Sequence, residues 1–365
     1  MNFDYTEEQT MLRDSVKRYV ADNYDFESRK AIVKAGGFSP IVWAALAELG
    51  VLGLTAPADA GGSEMDAQAA MVVMEELGRG MVMEPVAGCA LMPLAILKSL
   101  NSTDLAESMA EGVADGVKPV AVAYLEHAHR YHWHSCSTTA SLQGNSYMLN
   151  GAKSVVAGAA QSANLIVSAM LGAELALFAV DTGQAKLQAY ATQDGSAAAD
   201  VLLHNTPAKL LVSGQAAIDA LQAGVNALIA AHAAESVGLM EAMCDMTGDY
   251  LNTRKQFGTA IGSFQALRHR LVDMRLEMEL ARGMSWKANI ALSDAGMSLA
   301  EQTAICSAAK IAQSKAMRAV GQGGVQLHGG IAVTLEYAAA HLFKRLTTLE
   351  MIGGDRARHL SLLAQ

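Results

Sequence analysis

Apolar residues recur at helical spacing along the first third of the chain. Thr6 and Gln9 have the spacing of a capping box, and Met11, Leu12, Val16 and Val20 follow at helical spacing. Glycine and proline clusters separate three further segments of the same kind. These segments cover residues 41–49, 68–77 and 85–100. The pattern predicts an N-terminal helical domain over residues 1–117.

From about residue 118 the apolar runs become short and are bounded by turn residues. Such runs are typical of strands, and the Gly144-Asn145 and Asn150-Gly151 pairs between them are typical of tight turns. The predicted strands cover residues 120–124, 146–149, 165–170, 175–180 and 209–212. The sequence therefore predicts a small middle β-domain over residues 118–214.

Helical patterning returns after residue 214. Residues 227–251 are rich in Ala, Leu, Met and Glu, and Leu271, Met274 and Met278 repeat at helical spacing. We expect residues 215–365 to form a C-terminal helical bundle. The predicted fold class is α+β and mostly α, with a β-domain between two helical domains.

Composition and charge exclude several classes of protein. Hydrophobic residues make up 52% of the chain and aromatic residues only 5%, which favours packed helices. A net charge of −9 argues against nucleic-acid binding. The polar, acidic first residues predict no secretory signal, and no apolar run predicts a membrane span. The four cysteines are far apart without a CxxC pair, so we expect reduced thiols in a cytoplasmic protein.

Residues 253–265, TRKQFGTAIGSFQ, place a cation, aromatic rings, glycines and an amide between two helical segments. The planar guanidinium of Arg254 beside a turn suits a phosphate or pyrophosphate. Another interpretation is a plain helix–helix turn, with Phe257 and Phe264 as core residues and Arg254 as a solvated charge. A second segment, residues 321–330, reads as another glycine-dense break between helices, and its Gln326 side chain offers both a donor and an acceptor.

Together the two segments resemble the acyl-CoA dehydrogenase family, whose C-terminal domain carries Arg-x-x-Phe-Gly…Phe-Gln and Gln-x-x-Gly-Gly motifs. The resemblance implies that one subunit holds the adenosine and pyrophosphate of an FAD whose flavin lies in the neighbouring subunit. It also implies that the middle domain is a small β-barrel and the C-terminal domain a four-helix bundle. The implied substrate is an acyl-CoA, the implied electron acceptor is an electron-transfer flavoprotein, and the implied role is β-oxidation of lipids or steroids. The residues that inherit the FAD-binding role are Arg254, Phe257, Gln265, Gln326, Gly329 and Gly330.

The chain departs from the family where the catalytic base is expected. In most members a Glu removes the α-proton while the β-hydride leaves for the flavin. Gly353 occupies that position, and the position that a minority of members use aligns with about Leu228. Neither residue is a carboxylate, so the catalytic residue stays unknown. We expect the nearby acids Glu350, Asp355 and Glu235 to be solvated or ion-paired rather than catalytic.

The predicted β-domain departs from the family as well. Residues 125–131, LEHAHRY, replace the usual Thr-Glu-Pro…Gly-Ser-Asp run, and residues 154–158, SVVAG, replace the usual Trp-Ile-Thr strand beside the flavin. The segment 147–153, YMLNGAK, still resembles the family's hairpin leading into that strand. The chain therefore keeps the motifs for the adenosine half of a shared site and lacks those for the flavin-and-base half.

Heteromeric family members show such a split. Residues 4–9 and 24–26 resemble the small subunit of pimeloyl-CoA dehydrogenase and the small subunits of steroid side-chain acyl-CoA dehydrogenases. The resemblance implies a large-subunit partner in an α2β2 assembly. Three alternatives stay open: a self-sufficient homo-oligomer with an atypical base, a structural subunit without catalysis, and a flavin-dependent monooxygenase of the same fold.

One cluster suggests a different chemistry. His127 and His129 precede His132, His134 and Cys136, and the last three would share one face if the segment were a β-strand. Imidazole and thiolate groups bind Zn²⁺. Alternate residues of a strand lie about 6.6 Å apart, however, so three of them seldom converge on one ion. We therefore expect no metal and interpret the segment as a polar surface.

Overall fold

The computed structural model describes residues 5–100, 103–144 and 146–364. Residue 4 of the opening segment and Asn145 of the predicted 144–145 turn lie outside these ranges. The described chain is mostly helical with a strand barrel in its middle, as the sequence predicts. The helices are α1 (Glu7–Asn23), α2 (Phe26–Lys34), α3 (Pro40–Glu48), α4 (Ala67–Arg79), α5 (Met92–Lys98), α6 (Asp104–Ala114), α7 (Gln215–Thr253), α8 (Gln265–Ser293), α9 (Leu299–His328), α10 (Ala338–Met351) and α11 (Arg356–Leu363).

The strands form one large sheet and one small hairpin. The large sheet holds β1 (Val120–Ala123), β2 (Thr139–Gln143), β3 (Ser146–Ala157), β4 (Asn164–Leu171), β5 (Glu174–Asp181), β6 (Lys186–Ala191) and β7 (Ala197–Ser213). The hairpin pairs β8 (Lys255–Gln256) with β9 (Thr259–Ala260).

The large sheet closes into a barrel because β4 and β5 pair with each other as well as with other strands. The path runs from β4 through β2, β3 and β7 to β5, and β5 returns to β4. Strand β1 adds to β4 in parallel, and β6 adds to β7. Closure leaves few unpaired edges. Leu149, Ile166 and Phe178 in its strands are fully buried.

The described chain forms two compact units. The first comprises the residues up to Lys30, residues 67–82, and those from Ile229 onward; the second comprises residues 31–66 and 83–228. The barrel belongs to the second unit, and helix α7 contributes to both. The predicted three-domain division, at residues 117 and 214, stays a prediction.

The core of the first unit is built from methionines and small aliphatic residues on α7, α8, α9 and α10. Met243, Met274 and Met317 lie in this core with Leu342 and Leu346. Unbranched thioether side chains fill irregular gaps between helices, which explains why few aromatic residues are needed. Helix α7 is long and apolar enough to cross a membrane by length and composition, and 78% of its apolar window is buried in the structure.

Several local predictions from the sequence were wrong. Strands β2 and β6 were missed because their alternation is weak, and residues 85–100 contain a π-helical segment, Ala87–Leu91, before α5. The predicted break at residues 321–328 does not occur, since α9 continues to His328. Its glycines serve packing instead: a Cβ on Gly324 would lie 2.4 Å from the Met243 sulfur atom.

Candidate functional site

The first motif forms a tight hairpin between α7 and α8. The Arg254 amide still donates to the Tyr250 carbonyl at 2.8 Å, so the residue caps the end of α7. Phe257 and Gly258 then occupy the two central turn positions with φ of 53° and 81°. Two successive positive φ angles define a type I′ turn, which connects two strands without splaying them.

Phe257 is held in an unfavourable position at the tip of this turn. A bulky residue at positive φ costs about 1–2 kcal/mol, and the ring is 92% exposed to solvent. The interpretation of Phe257 as a core residue is therefore wrong. Its one aromatic neighbour among the described residues is Phe264, edge-on at 6.2 Å. Strain combined with an exposed apolar ring marks a surface that is completed by a ligand or another chain.

The second motif lies at the end of α9. Gln326 is exposed on the last turn, and the helix stops at Gly329, whose φ of 68° and ψ of −146° suit glycine alone. A Cβ at Gly329 or Gly330 would have no heavy atom within 4 Å. These two glycines therefore present bare backbone to open space, as close contact with a ligand requires.

A stack of three rings joins the two motifs. The His328 ring lies 4.7 Å from the Tyr250 ring and 5.3 Å from the Tyr337 ring. Tyr250 is four residues before Arg254, and His328 is two residues after Gln326, so the stack brings both motifs to the same end of the first unit. Every predicted FAD-binding residue is exposed there: Arg254, Phe257, Gln265, Gln326, Gly329 and Gly330.

This arrangement fits the adenosine diphosphate half of FAD. Such a ligand needs a guanidinium for its phosphates, bare backbone for close approach, and apolar surface for its ring. Arg254 supplies the guanidinium, Gly329 and Gly330 supply the bare backbone, and Phe257 supplies the apolar surface. Gln265 begins α8, a 29-residue helix whose N-terminus adds a favourable dipole for an anion.

The acids near the expected base positions all have structural partners. Glu350 accepts from the Arg318 guanidinium at 2.5 Å. Asp355 caps the N-terminus of α11 by accepting from the Arg358 amide at 2.8 Å. Ion pairing and capping account for both side chains without catalysis.

Glu235 lies in a buried network on α7. It accepts from Arg345 Nε at 2.6 Å and contacts His232 Nδ1 at 2.7 Å. Burial alone would raise the pKa of this carboxyl, but Arg345 and His232 together lower it to about 2. A carboxylate with so low a pKa is a poor acceptor for the weakly acidic α-proton of a thioester.

The residue at the usual base position cannot be replaced without strain. Gly353 has a φ of 71°, and a Cβ there would lie 2.9 Å from Ile229 Cγ1. The surrounding turn is fixed by Lys310, which donates to the carbonyls of Leu349 and Ile352 at 2.6 Å each. His359 also binds the Gly353 carbonyl, at 2.9 Å. The backbone conformation and the packing at position 353 therefore both require glycine.

We expect Gly353→Glu to lower the free energy of unfolding by about 2–4 kcal/mol, from the positive φ and from overpacking against Ile229. Adding Ile229→Ala should remove the part of this loss that comes from steric contact with Ile229 and leave the part that comes from the positive φ. Urea unfolding measures both changes. Gly283→Ala is the control, because a Cβ there meets nothing within 4 Å and lies in a helix. A fully stable Gly353→Glu protein would contradict this account.

The segment that replaces the flavin-proximal run is fastened to the barrel by a buried ion pair. Glu126 accepts from Lys153 Nζ at 2.8 Å, and from the amides of Ser137 and Thr138 at 2.6 and 3.0 Å. Burial raises the pKa of Glu126, but Lys153 and these donors outweigh it and hold the value at about 2. The carboxylate therefore closes residues 127–136 into a loop.

This loop is made of turns, so the expectation that His132, His134 and Cys136 share a strand face was wrong. The Glu126 contacts pull the chain into a closed loop before it reaches β2. His134 Nε2 contacts Gln222 Oε1 at 3.2 Å, and Cys136 is buried. Within the described residues, no group of three or more His, Cys, Asp or Glu side chains is arranged to hold a metal ion.

Next to Lys153, strand β3 bulges at a second strained residue. Val155 has a φ of 54°, which is rare for a β-branched residue, and its side chain is exposed. Asp200 holds the bulge by accepting from the Val155 amide at 3.0 Å and from the Tyr190 hydroxyl at 2.8 Å. The bulge lies within residues 154–158, which replace the family's Trp-Ile-Thr strand.

Sequence reasoning missed one buried pair beside the second motif. Arg29 on α2 and His341 on α10 are both buried, and Arg29 Nη1 lies 2.6 Å from His341 Nδ1. The two residues are 312 positions apart, and neither lies in a recognisable motif. The sequence did not predict that Arg29 is buried, because most charged residues on short helices are exposed to solvent.

Comparisons with known proteins cover the whole chain. The model of the acyl-CoA dehydrogenase N-terminal domain matches residues 6–100, and that of the C-terminal domain matches residues 218–365. Acyl-CoA dehydrogenase FadE12 of Mycobacterium tuberculosis is 30% identical over 100% of this chain and 97% of that protein. Members of this family are FAD-dependent oxidoreductases.

Solved structures agree in fold. A Tcur3481–Tcur3483 steroid ACAD variant superposes with a TM-score of 0.89 at 27% identity, covering 98% of this chain and 97% of that one. A chain of the ChsE4–ChsE5 complex from Mycobacterium tuberculosis has a TM-score of 0.90 at 22% identity, covering 100% and 98%. The chain belongs to the acyl-CoA dehydrogenase family.

Proposed function

We propose that this chain is the small subunit of a heteromeric FAD-dependent acyl-CoA dehydrogenase. It would bind the adenosine and pyrophosphate of FAD, while a larger partner subunit contributes the flavin-facing surface and the base. When bound, FAD accepts the hydride from the β-carbon of the acyl-CoA. The observation that carries the proposal is the exposed Arg254 hairpin beside the open backbone of Gly329, in a chain that has Gly353 and Leu228 instead of carboxylates at the two base positions.

A partner surface continues from the FAD face along α8. Val272, Leu276 and Leu280 are spaced by four residues and therefore share one side of the helix. Their exposed fractions are 54%, 58% and 65%, although apolar helix positions normally face a core. Gln265 lies at the start of the same helix. We infer that the partner that shares the FAD also covers this stripe.

The chemistry of Arg254 suits a ligand shared between chains. Its side chain is exposed, so a phosphate can pair with it without first breaking an internal ion pair of the described residues. Phe257 extends from the hairpin tip and can pack on a group that lies outside this chain. The assembly that fits is α2β2, with an electron-transfer flavoprotein as acceptor and the cytoplasm as its place of action. The Tcur3481–Tcur3483 and ChsE4–ChsE5 proteins support the pairing of two different chains.

The self-sufficient homo-oligomer is the second candidate, and the His232–Glu235–Arg345 network is the observation in its favour. A histidine oriented by a carboxylate is a common proton acceptor. The homo-oligomer would place flavin and base in this chain, whereas the heteromer places them in the partner.

An absorption spectrum separates the two. We expect the chain purified alone to show no flavin bands, and the chain co-expressed with its partner to show them. The partner to be co-expressed is a chain of the same fold with a Glu at the position of Gly353, to be sought among the products of neighbouring genes. One flavin per chain in the protein purified alone would overturn the heteromeric proposal.

The acids near the base positions provide a second test. In the co-expressed complex, Glu350→Gln, Asp355→Asn and Glu235→Gln should each leave turnover within about tenfold of the parent, because none removes the α-proton. Loss of a general base costs ~10²–10⁴-fold. Reduction of an artificial acceptor with a medium-chain or ring-bearing acyl-CoA reports turnover. A collapse in one variant, with flavin content and assembly intact, would assign the base to this chain.

A further inference from the structure

The segment 329–337, which follows the Gln326 motif, has little core of its own. Ile331, Val333 and Leu335 are exposed, and only Ala332 among residues 329–335 is buried. A segment with so few buried contacts takes its conformation from its ends. Gly329 and Gly330, which belong to the proposed FAD face, lie at its beginning.

Besides the contact of Tyr337 with the His328 ring, a hydrogen bond from α10 holds the end of the segment. His341 Nε2 lies 3.0 Å from the Leu335 carbonyl, so this nitrogen must carry a proton to donate. The bond needs a particular tautomer of the imidazole, and a neutral imidazole in solution populates both tautomers.

Arg29 selects that tautomer. Its Nη1 lies 2.6 Å from His341 Nδ1, and a guanidinium can only donate, so Nδ1 must accept and the proton must stay on Nε2. Arg29 is 2% exposed, and its Nε donates to the Met81 carbonyl at 3.3 Å. The Phe26 ring meets the imidazole edge-on at 5.1 Å. The contact with the Met81 carbonyl therefore holds the guanidinium in place independently of the histidine.

We infer that Arg29 and His341 are positioning residues for the FAD site, because through the Leu335 carbonyl they set the conformation of residues 329–337. This inference rests on the proposed function, since it assumes that Gly329 and Gly330 contact FAD. Arg29 does not touch the cofactor. Its effect on FAD affinity passes through His341.

The same geometry makes the contact between Arg29 and His341 sensitive to pH. Burial lowers the pKa of His341, the Leu335 carbonyl opposes this, and the cations Arg29, Lys344 and Lys30 lower it further. A proton on Nδ1 would face the Arg29 guanidinium, so protonation must break the contact. Because the pKa is lowered in the folded state, the contact is complete above the ordinary histidine value of about 6.5 and is lost as the pH falls below it.

The test is FAD titration of the co-expressed complex after its flavin has been removed. Arg29→Met and His341→Leu should weaken FAD binding roughly three- to tenfold, the effect of about one hydrogen bond. His341→Gln should restore most of the affinity, because its amide can donate to Leu335 and accept from Arg29. The affinity of the parent complex should stay constant down to about pH 6.5 and fall as the pH is lowered further, because the pKa of His341 is lowered, and that of His341→Gln should stay flatter.

His359→Gln is the matched control, since His359 is equally buried and contacts Ser307 and Gly353 instead. It should lower the melting temperature and leave FAD affinity unchanged. The inference would be overturned if His359→Gln lost as much FAD as the Arg29 and His341 variants. It would also be overturned if Arg29→Met and His341→Leu folded with unchanged FAD affinity and the parent pH profile were flat.

Arg254→Ala in the same titration separates a failure of this inference from a failure of the proposed FAD site. If it weakens FAD while the Arg29 and His341 variants do not, only this inference fails; if it has no effect, the proposed FAD site fails.

Discussion

Arg254→Ala should strip most of the FAD from the assembled enzyme during gel filtration. A bidentate, charge-assisted contact between a guanidinium and a pyrophosphate contributes about 1.5–3 kcal/mol, so its loss weakens binding by roughly 10- to 100-fold. Arg254→Lys should recover only part of this, because an ammonium lacks the planar pair of donors. The ratio of flavin to protein absorbance after gel filtration measures the effect.

The Arg254 variants should fold normally, since the side chain is exposed and removing it creates no cavity. Arg270→Ala is a suitable control, being an exposed arginine on α8 outside the motif. We expect it to retain flavin like the parent. Unchanged flavin retention in Arg254→Ala would remove this residue from the FAD site and with it the main support for the proposed function.

Lys153→Met should be the most destabilising single change considered for the barrel. The Lys153 side chain is fully buried and pairs with Glu126 and Ser168 Oγ, the latter at 3.0 Å. Removing one partner of a buried ion pair leaves the other charge uncompensated and costs about 3–5 kcal/mol. Because Glu126 also holds the amides of Ser137 and Thr138, the loop 127–136 should open to proteolysis.

Urea unfolding and limited proteolysis measure these effects. Lys209→Met is the control, because Lys209 is an exposed lysine in the same sheet. We expect it to stay within about 0.5 kcal/mol of the parent. The double change Glu126→Gln with Lys153→Met should recover much of the loss, since it removes both charges. If Lys153→Met were as stable as Lys209→Met, the ion pair would have no role in holding the loop.

The pH dependence of the barrel should change with the pair. In the parent protein the Glu126 pKa lies at about 2, below its unfolded value. Its contribution to stability is therefore present above about pH 4.3 and is lost as the pH falls toward 2. In Lys153→Met the pKa of Glu126 should rise, so this part of the acid sensitivity should disappear.

Local spacing explains what could be predicted from the sequence. Helical periodicity located α7 and α8, and the offset between Arg254 and Gln265 depends only on the hairpin between them. The resemblance to the family then gave roles to these residues without any knowledge of long-range contacts. The exposure of Gln326 and the open backbone at Gly329 agree with those roles, which stay predictions until FAD binding is measured.

Long-range packing explains what could not be predicted. The glycines of α9 were predicted to break the helix, because the residues around them in sequence do not reveal that Met243 packs beside Gly324. The alternative interpretation of Phe257 as a core residue was wrong, because hydrophobicity alone does not reveal a type I′ turn. Arg29 and His341 are joined only by the fold. For the α9 glycines and for the Arg29–His341 pair, the deciding neighbour lies far away along the chain.

The conformation of Gly353 has an evolutionary consequence. A carboxylate at this position needs both a backbone relaxed from its φ of 71° and a smaller residue at Ile229. A single substitution therefore yields a less stable protein and no base, so selection for activity has no first step to favour. Under the proposed heteromeric function, a subunit that carries this pair of residues would need changes at both positions to regain its own base, which would preserve its dependence on a partner.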